Sequence, residues 1–186
     1  MKIYVKNMAC ESCVIFVKDT LDEMKIPVFK VELGEIETKQ DVSDDKKKKL
    51  DSTIKTAGME LLEKKQGVLI EKIKRLMIEF VANSEHQPEV KFSELVSKEL
   101  NHSYTYLSNL FSEVEVTTIQ QYMIALKIER VKELIIFGDD TLSEISYKLN
   151  YSSVSHLSNQ FKKATGLTPS HFKALKDKRR TTIEKI

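Results

Sequence analysis

The feature that most constrains this chain of 186 residues is an internal repeat in its C-terminal half. VSKELNHS (96–103) matches ISYKLNYS (145–152) at an offset of 49 residues, and YLSNLF (106–111) matches HLSNQF (156–161) at an offset of 50. Self-similarity of this kind indicates one supersecondary unit used twice. We therefore predict that each copy is a helix, a tight turn and a second helix, with one residue added to the turn of the second copy.

The residue types in each copy fit a helix-turn-helix. A small residue, Ser97 or Ser146, stands where the two helices must approach closely. Asn101 and Asn150 stand at the turn, where asparagine tolerates the left-handed conformation. The second helix carries an apolar stripe at helical spacing that we expect to be buried: Leu107, Leu110, Phe111 and Val114 in the first copy, and Leu157, Phe161 and Ala164 in the second.

The opposite stripe of the second helix is polar and short: Thr105, Ser108, Asn109 and Ser112 in one copy, and Ser155, Ser158, Asn159 and Lys162 in the other. It fits either the solvated surface of a small helical bundle or a pair of recognition helices that enter the major groove of DNA. Small hydroxyls and amides allow close approach, and asparagine can bond the edge of adenine bidentately. Lys162 and Lys163 would then lie beside phosphates, and two copies would let one subunit meet two groove faces about 34 Å apart.

Charge and composition narrow the class of protein. The net charge is +2, but residues 141–186 hold nine basic and three acidic residues, which fits either a polyanion surface or a solvated tail. No apolar run approaches the roughly 20 residues that span a bilayer, and the start MKIYVKN is too polar for a signal peptide. We expect a cytoplasmic chain with no membrane partner. No spacing singles out a catalytic constellation, so we predict a non-enzyme.

The N-terminal third mixes strand-like and helical patterns. KIYVKN alternates as a strand and CESCVIFVKDTLDEM follows as a helix, while PVFKVEL and EIETKQD predict a hairpin turned at Gly34. Ser43 would cap a second helix that ends at Gly58, and MELLEK would be a last strand. The predicted order β-α-β-β-α-β is the split arrangement of a ferredoxin-like sheet with two helices on one face.

From Gly67 onward every segment is predicted to be helical, beginning with LIEKIKRLMIEFV and its apolar residues Leu69, Ile73, Leu76 and Phe80. The predicted fold is therefore α+β: a ferredoxin-like βαββαβ domain at 1–66, followed by an all-α domain at 67–186 with two helix-turn-helix units.

Residues 68 to about 176 resemble the DNA-binding domain of the AraC/XylS transcription regulators. The resemblance is carried by TLSEISYKLNYSSVSHLSNQFKKATGLTPSHFK, in which FKKATGLTP is very close to the family signature, and by IALKIERVKELI, which resembles the long helix that joins the two units. It implies double-stranded promoter or operator DNA as partner, and activation through RNA polymerase more often than repression. It also implies base-facing residues: Thr105, Ser108 and Asn109 in the first unit, and Ser155, His156 and Asn159 in the second.

Some positions depart from that family pattern. The glycines usual at both turns are asparagines here, the first unit lacks the glycine present as Gly166 in the second, and Lys127 stands where arginine is usual. His156 is open to three interpretations, because beside Leu157 it could pack on the groove wall, contact a phosphate or read a base.

The chain holds only two cysteines, Cys10 and Cys13, in the segment KNMACESC. In the cytoplasm a CxxC pair is more typical of metal binding or redox chemistry than of a structural disulfide. Amides at a helix N-terminus would stabilise both thiolates. Two sulfurs suit Cu(I) or another soft ion, whereas zinc or cadmium would need further ligands from outside. A redox-switching dithiol and an inert pair are the alternatives.

Residues 2–65 resemble a heavy-metal-associated domain of the kind found in copper chaperones and copper-pumping ATPases. Met8, Cys10 and Cys13 fit its MxCxxC motif, and Ala57-Gly58-Met59 fits the segment after its second helix. The resemblance implies that Cys10 and Cys13 are metal ligands and that Met8 is a buried packing residue. Asn7 stands where that family has glycine.

Together these patterns predict a transcription regulator in which soft-metal binding at the thiols controls a double helix-turn-helix. Segment 69–81 or the sheet edge could build a homodimer. Two other hypotheses stay open: a regulator controlled by thiol redox state or by no effector, and a metal-delivery protein with a helical module that does not bind DNA.

Overall fold

The computed structural model describes residues 1–84 and 90–175 of the chain. The N-terminal elements are β1 (Lys2–Lys6), α1 (Glu11–Glu23), β2 (Val28–Glu32), β3 (Glu35–Thr38), α2 (Asp44–Lys55) and β4 (Glu60–Leu61). The helices that follow are α3 (Lys64–Ala82), α4 (Phe92–Leu100), α5 (Tyr104–Glu115), α6 (Ile119–Phe137), α7 (Leu142–Lys148) and α8 (Val154–Thr165). Residues 169–175 are also helical.

The chain divides into two compact units that are not simple N- and C-terminal halves. The first unit combines Met1–Lys74 with Ser93–Ile119, and the second combines Arg75–Phe92 with the residues from Gln120 onward. The first helix-turn-helix, α4–α5, therefore belongs to the same unit as the sheet. The boundary between Gln66 and Gly67 stays a prediction about sequence segments, because the units follow packing rather than chain order.

The four strands of the first unit form one sheet in the order β2-β3-β1-β4. All neighbours are antiparallel, with Ile3 opposite Ile36 and Val5 opposite Leu61. The predicted order of strands and helices is the observed one, although β4 has only two residues. A small four-stranded sheet is thus present, while its assignment to the ferredoxin-like class stays a prediction.

One face of this sheet packs against α1 and α2. Because side chains alternate along a strand, Ile3 and Val5 point to the same face. They join a buried cluster with residues of both helices and of the other strands: Met8, Val17, Leu21, Ile26, Val31, Ile36, Val42, Leu50, Ile54 and Met59. This cluster is the core of the N-terminal segment.

The opposite face of the sheet is also covered. Tyr4, between Ile3 and Val5 on β1, is only 4% exposed. A methyl group built on Gly67 of α3 would lie 3.0 Å from the Tyr4 ring. The Tyr4 hydroxyl donates a hydrogen bond to the Glu71 carboxylate, and burial raises the pKa of Tyr4, so the phenol keeps its proton. The first turns of α3 therefore cover the second face of the sheet, for which the sequence pattern predicted no partner.

The predicted helix at LIEKIKRLMIEFV is present as part of α3. Its fully buried stripe is Ile70, Ile73, Met77 and Val81, whereas Leu69, Leu76 and Phe80 of the apolar repeat are only partly buried. LIEKIKRLMIEFV places apolar residues side by side at 69–70, 76–77 and 80–81, so two stripes are possible and packing selects one of them.

The predicted glycine turns are confirmed. Gly34 turns the β2–β3 hairpin and Gly58 follows α2, each with φ of +78°. Ser43 occupies the N-cap position of α2, but its side chain makes no capping hydrogen bond. Gly34 also lies so close to α5 that an added methyl group would overlap the carbonyl oxygen of Val114, whereas Gly58 has nothing within 4 Å of that position.

We expect Gly34→Ala to destabilise the protein much more than Gly58→Ala. Both substitutions force alanine into the left-handed region at a cost of about 1–2 kcal/mol. Only Gly34→Ala adds a clash with backbone, for a total of roughly 3 kcal/mol. Urea unfolding of the two variants measures the difference. Equal losses of stability would contradict the close approach of the hairpin to α5.

Candidate functional site

Both helix-turn-helix units have the predicted left-handed asparagine at the turn. The φ angles of Asn101 and Asn150 are 53° and 54°. The second helix begins after an N-cap serine in each unit, Ser103 before α5 and Ser153 before α8. The longer second turn is also confirmed, since Ser103 lies two residues after its asparagine and Ser153 lies three.

The two N-cap serines fix the starts of α5 and α8. The hydroxyl of Ser103 accepts a hydrogen bond from the Tyr106 amide at 3.3 Å, and that of Ser153 accepts one from the His156 amide at 3.1 Å. Such caps contribute about 1 kcal/mol each. These serines were not predicted as caps, although each lies three residues before the matched segment YLSNLF or HLSNQF and serine before a helix is itself a capping signal.

The apolar stripe of α5 is buried as predicted, since Leu107, Leu110, Phe111 and Val114 are at most 3% exposed. In α8 Leu157 and Phe161 are buried, but Ala164 is exposed and its prediction was wrong. The two copies differ because Val114 lies under the hairpin glycine Gly34. Ala164, its counterpart, lies in the unit without the sheet.

The predicted DNA-facing residues lie on the outer faces of α5 and α8. Ser108 is partly buried and its hydroxyl donates to the Thr105 carbonyl at 3.1 Å. The other residues are exposed: Thr105 and Asn109 on α5, and Ser155, His156, Asn159, Lys162 and Lys163 on α8. Each helix thus groups small polar side chains on one accessible face. Their contacts with DNA stay predictions.

His156 is held by its neighbours. Its ring nitrogen Nδ1 lies 3.0 Å from the Ser152 hydroxyl, and its ring meets that of Tyr151 edge-on with 5.4 Å between centroids. Tyr151 is fixed in turn by a 2.7 Å hydrogen bond from its hydroxyl to Gln160. The imidazole is therefore oriented, and Nε2 is the nitrogen placed to meet a ligand.

The turn of the second unit is anchored by residues distant in sequence. The Asn150 side-chain amide donates to the Ser84 carbonyl at 3.1 Å, and the Ser84 hydroxyl donates to the Lys148 carbonyl at 2.7 Å. Lys127, which replaces the arginine expected from the resemblance, donates to the Leu149 carbonyl at 2.8 Å, and burial lowers its pKa. Asparagine at this turn thus provides an anchor that glycine would not.

Cys10 and Cys13 lie together at the start of α1. Cys10 is the exposed N-cap residue and Cys13 lies in the first turn, with both thiols free and 3.3 Å between the Sγ atoms. The Cys13 amide donates to the Cys10 carbonyl at 3.0 Å. Hydrogen bonds from the backbone and then the side chain of Cys13 lower the pKa of Cys10, which favours its thiolate form.

The donor set fits a soft ion of low coordination number. Within residues 1–84 and 90–175, no group of three or more His, Cys, Asp or Glu side chains could hold a metal. Two sulfurs that bind one ion at about 2.3 Å each would stand farther apart than their present 3.3 Å, so the Cys10 side chain would have to turn slightly outward, which its exposure allows. Met8 is fully buried and its Sδ accepts a hydrogen bond from the Gly34 amide at 3.2 Å, as expected for a packing residue.

The thiol segment and the end of α5 are in direct contact within the first unit. The Asn7 amide donates to the Glu113 carbonyl at 2.9 Å, and Lys6 forms a 3.0 Å ion pair with the Glu113 carboxylate. Lys74 of α3 pairs with Glu115 at 2.7 Å. Burial raises the pKa of Glu115, and the hydrogen bond from Lys74 opposes that rise. We call the contacts of Lys6, Asn7, Gly34 and Lys74 with residues 113–115 the α5 clasp.

The α5 clasp was missed by the sequence analysis. The one local signal was the missing glycine after α5. Val116 occupies that position with φ of 54°, where the second unit has Gly166 with φ of 77°. A β-branched residue in the left-handed region is strained, and here it follows directly on the residues that the clasp holds.

Comparison with known proteins finds similarity to the helical part of the chain. A family model described as a helix-turn-helix domain matches residues 96–174. The melibiose operon regulatory protein of Escherichia coli K12 is 26% identical over 88 residues, which cover 47% of this chain and 29% of that protein. A solved transcriptional regulator from Chromobacterium violaceum, described as having an AraC-type DNA-binding domain, has a TM-score of 0.52 at 20% identity, covering 61% of this chain and 96% of that one.

The helical segment has the fold of AraC-type DNA-binding domains. The DNA-binding domain of AdpA, solved in complex with a target DNA, has the same fold, with a TM-score of 0.51, 16% identity, and coverage of 60% of this chain and 96% of that one. The present chain spans less than a third of the curated relatives that it matches. None of its described helices is long and apolar enough to cross a membrane.

We expect Val116→Gly to stabilise the protein and Gly166→Val to destabilise it. The left-handed conformation costs a non-glycine residue about 1–2 kcal/mol, and Val116 is 46% exposed, so little burial is lost. Thermal or urea unfolding should show a gain of about 1 kcal/mol for the first variant and a loss of similar size for the second. A loss of stability in Val116→Gly would rule out strain at this position.

Proposed function

We propose that this chain is a sequence-specific DNA-binding transcription regulator in which α5 and α8 are the two recognition helices. The observation that carries the proposal is the duplicated geometry: a left-handed asparagine, a serine cap and an exposed face of small polar residues in each unit. The AraC-type fold supports it. Neighbouring regulators of that fold include one solved with its target DNA.

In this proposal, each recognition helix reads base edges with short side chains. Asn109 and Asn159 would bond adenine through their amides, as asparagine does in the major groove. Thr105, Ser108 and Ser155 would allow the helices to approach closely. His156 could read a base, contact a phosphate or pack on the groove wall, and its orientation by Tyr151 and Ser152 is compatible with each of these roles.

Phosphate contacts would come from the end of α8. Lys162 and Lys163 lie in its last turn and are exposed. Long flexible cations at a helix edge suit phosphates, which fix the register of a protein on DNA without reading sequence. The basic residues beyond Leu175 would add to this charge, but they lie outside the described residues. The proposed partner is promoter or operator DNA in the cytoplasm, and RNA polymerase and a second copy of the chain are further proposed partners.

We also propose that Cys10 and Cys13 bind Cu(I) or another soft metal ion and thereby control DNA binding. The two free thiols, the lowered pKa of Cys10 and the exposure of the pair support metal capture. The topology of the sheet, with the thiols just after β1, supports a ferredoxin-like domain related to heavy-metal-associated domains. When bound, the ion would join the two sulfurs and fix the loop between β1 and α1.

A redox switch is the second candidate for the thiols. The sulfurs are 3.3 Å apart, so a modest rotation would bring them to the roughly 2.05 Å of a disulfide. A metal-delivery protein with a helical module that does not bind DNA remains the alternative for the whole chain.

We expect Asn159→Ala to relax sequence preference and Lys162→Ala to weaken binding to all sequences alike. Loss of an amide that bonds one base should cost about 1–3 kcal/mol against the preferred operator only, whereas loss of one phosphate contact should reduce the salt slope of log K by about 1. Footprinting on genomic fragments followed by titrations at several salt concentrations measures both. Lys132→Ala, at a lysine of α6 that pairs with Glu129, is the control.

The proposal for DNA binding fails if the purified full chain, apo and metal-loaded, protects no DNA fragment from nuclease. That first result would favour the metal-delivery alternative. If Asn159→Ala and Asn109→Ala both bind every sequence as the parent chain does, base reading by these amides fails while DNA binding stands.

We expect the Cys10→Ser/Cys13→Ser variant to lose Cu(I) binding, because it removes both thiols of the chain and no group of three or more His, Cys, Asp or Glu among the described residues could hold the ion instead. Competition with a chromogenic Cu(I) chelator measures affinity and stoichiometry, and Ser12→Ala is a matched control within the same motif. Unchanged Cu(I) affinity in the double serine variant would contradict the metal site. Reversible disulfide formation without Cu(I) binding would support the redox candidate instead.

A further inference from the structure

We propose that the thiol pair acts on DNA through the first recognition helix and not through the second. This inference rests on the proposed function and adds to it the route of regulation. It follows from four contacts that the thiol segment, its supporting strands and α3 make with the last turn of α5, all within the first compact unit.

The first contact is a backbone hydrogen bond. The Asn7 amide donates to the Glu113 carbonyl at 2.9 Å. Asn7 is in the left-handed conformation with φ of 60°, which turns the chain out of β1 into the thiol loop. Its side chain also donates to the Gly58 carbonyl at 3.3 Å. The residue that begins the thiol loop is thus bonded directly to the end of α5.

The second contact passes through Met8, two residues before Cys10. Met8 is fully buried, and its sulfur accepts a hydrogen bond from the Gly34 amide at 3.2 Å. Gly34 in turn lies against the Val114 carbonyl with no room for a side chain between them. A shift of the loop that moves Met8 must therefore move the hairpin, and the hairpin abuts α5.

The remaining contacts are ion pairs that hold α5 from two sides. Lys6 of β1 pairs with Glu113 at 3.0 Å. Lys74 of α3 pairs with Glu115 at 2.7 Å and lies 3.7 Å from Glu35 of β3. The Glu115 side chain is only 13% exposed and that of Lys74 only 20% exposed, so this second pair is weakly screened by solvent.

Ion binding would act on the thiol loop, from which these contacts lead to α5. An ion bound by both sulfurs would hold them farther apart than their present 3.3 Å, so Cys10 or the loop would have to move. Helices move as rigid bodies over one or two turns, so a displacement at residues 113–115 also shifts Thr105 and Asn109. The second recognition helix belongs to the other unit, and it takes part in none of these four contacts.

The test compares how Cu(I) loading changes DNA affinity in Asn109→Ala and in Asn159→Ala. In the parent chain we expect loading to change the dissociation constant by about 5–150-fold, the usual range for coupled sites. If the ion acts on α5, that fold-change should fall to near 1 in Asn109→Ala and remain at its parent value in Asn159→Ala. Titrations use the full chain and the operator found by footprinting.

A second measurement does not require DNA. Hydrogen exchange at the amides of 112–116 should change on Cu(I) loading in the parent chain. It should change much less in Lys6→Ala/Lys74→Ala, which removes both ion pairs of the α5 clasp. The matched control is Lys30→Ala/Lys55→Ala, since those lysines form pairs of 2.6 and 2.7 Å elsewhere in the sheet domain.

The outcomes separate this inference from the proposed function. If Cu(I) loading changes affinity equally in Asn109→Ala and Asn159→Ala, or changes exchange at 112–116 equally in the two double-lysine variants, the inference is overturned while DNA binding stands. If no DNA is bound, the proposed function fails, and the exchange experiment still decides whether the thiols and α5 are coupled.

Discussion

The structure of the first unit depends on one doubly paired strand. β1 bonds to β3 on one side and β4 on the other, and it is buried on both faces, with Ile3 and Val5 toward α1 and α2 and Tyr4 toward α3. A strand held on four sides has little freedom to shift its register. The thiol loop that follows β1 therefore starts from a fixed position. Asn7, at that start, is hydrogen-bonded to the Glu113 carbonyl of α5.

In the second unit the helix-turn-helix is held in place without a sheet. Its turn is held by Ser84 and Lys127. The Ser84 hydroxyl donates to the Lys148 carbonyl and Lys127 donates to the Leu149 carbonyl, while the Asn150 side-chain amide donates to the Ser84 carbonyl. Two copies of one motif thus rest on different supports. One divergence between the copies follows from this difference, since Val114 lies against Gly34 of the sheet and Ala164 takes its place in the unit without the sheet.

Much of the fold was predictable because it depends on local rules. The order of the strands and helices, the glycine turns at Gly34 and Gly58, and the left-handed asparagines at both helix turns follow from short patterns. The buried stripe of α3 could not be predicted, because adjacent apolar pairs allow two faces and only packing chooses between them. Ala164 was wrong for a related reason, since burial depends on what lies opposite rather than on spacing.

The sequence by itself determined that this chain has a duplicated helix-turn-helix, a small mixed segment before it and a single thiol pair between a strand and a helix. Repeats, periodicity and cysteine spacing are properties of neighbouring residues, so they can be read without coordinates. Only the tertiary structure decided that the first helix-turn-helix belongs with the sheet and that Asn7, Gly34 and Lys74 meet the end of α5. Those partners are separated by some 40 to 110 positions, and contacts over such distances are set by how whole elements pack.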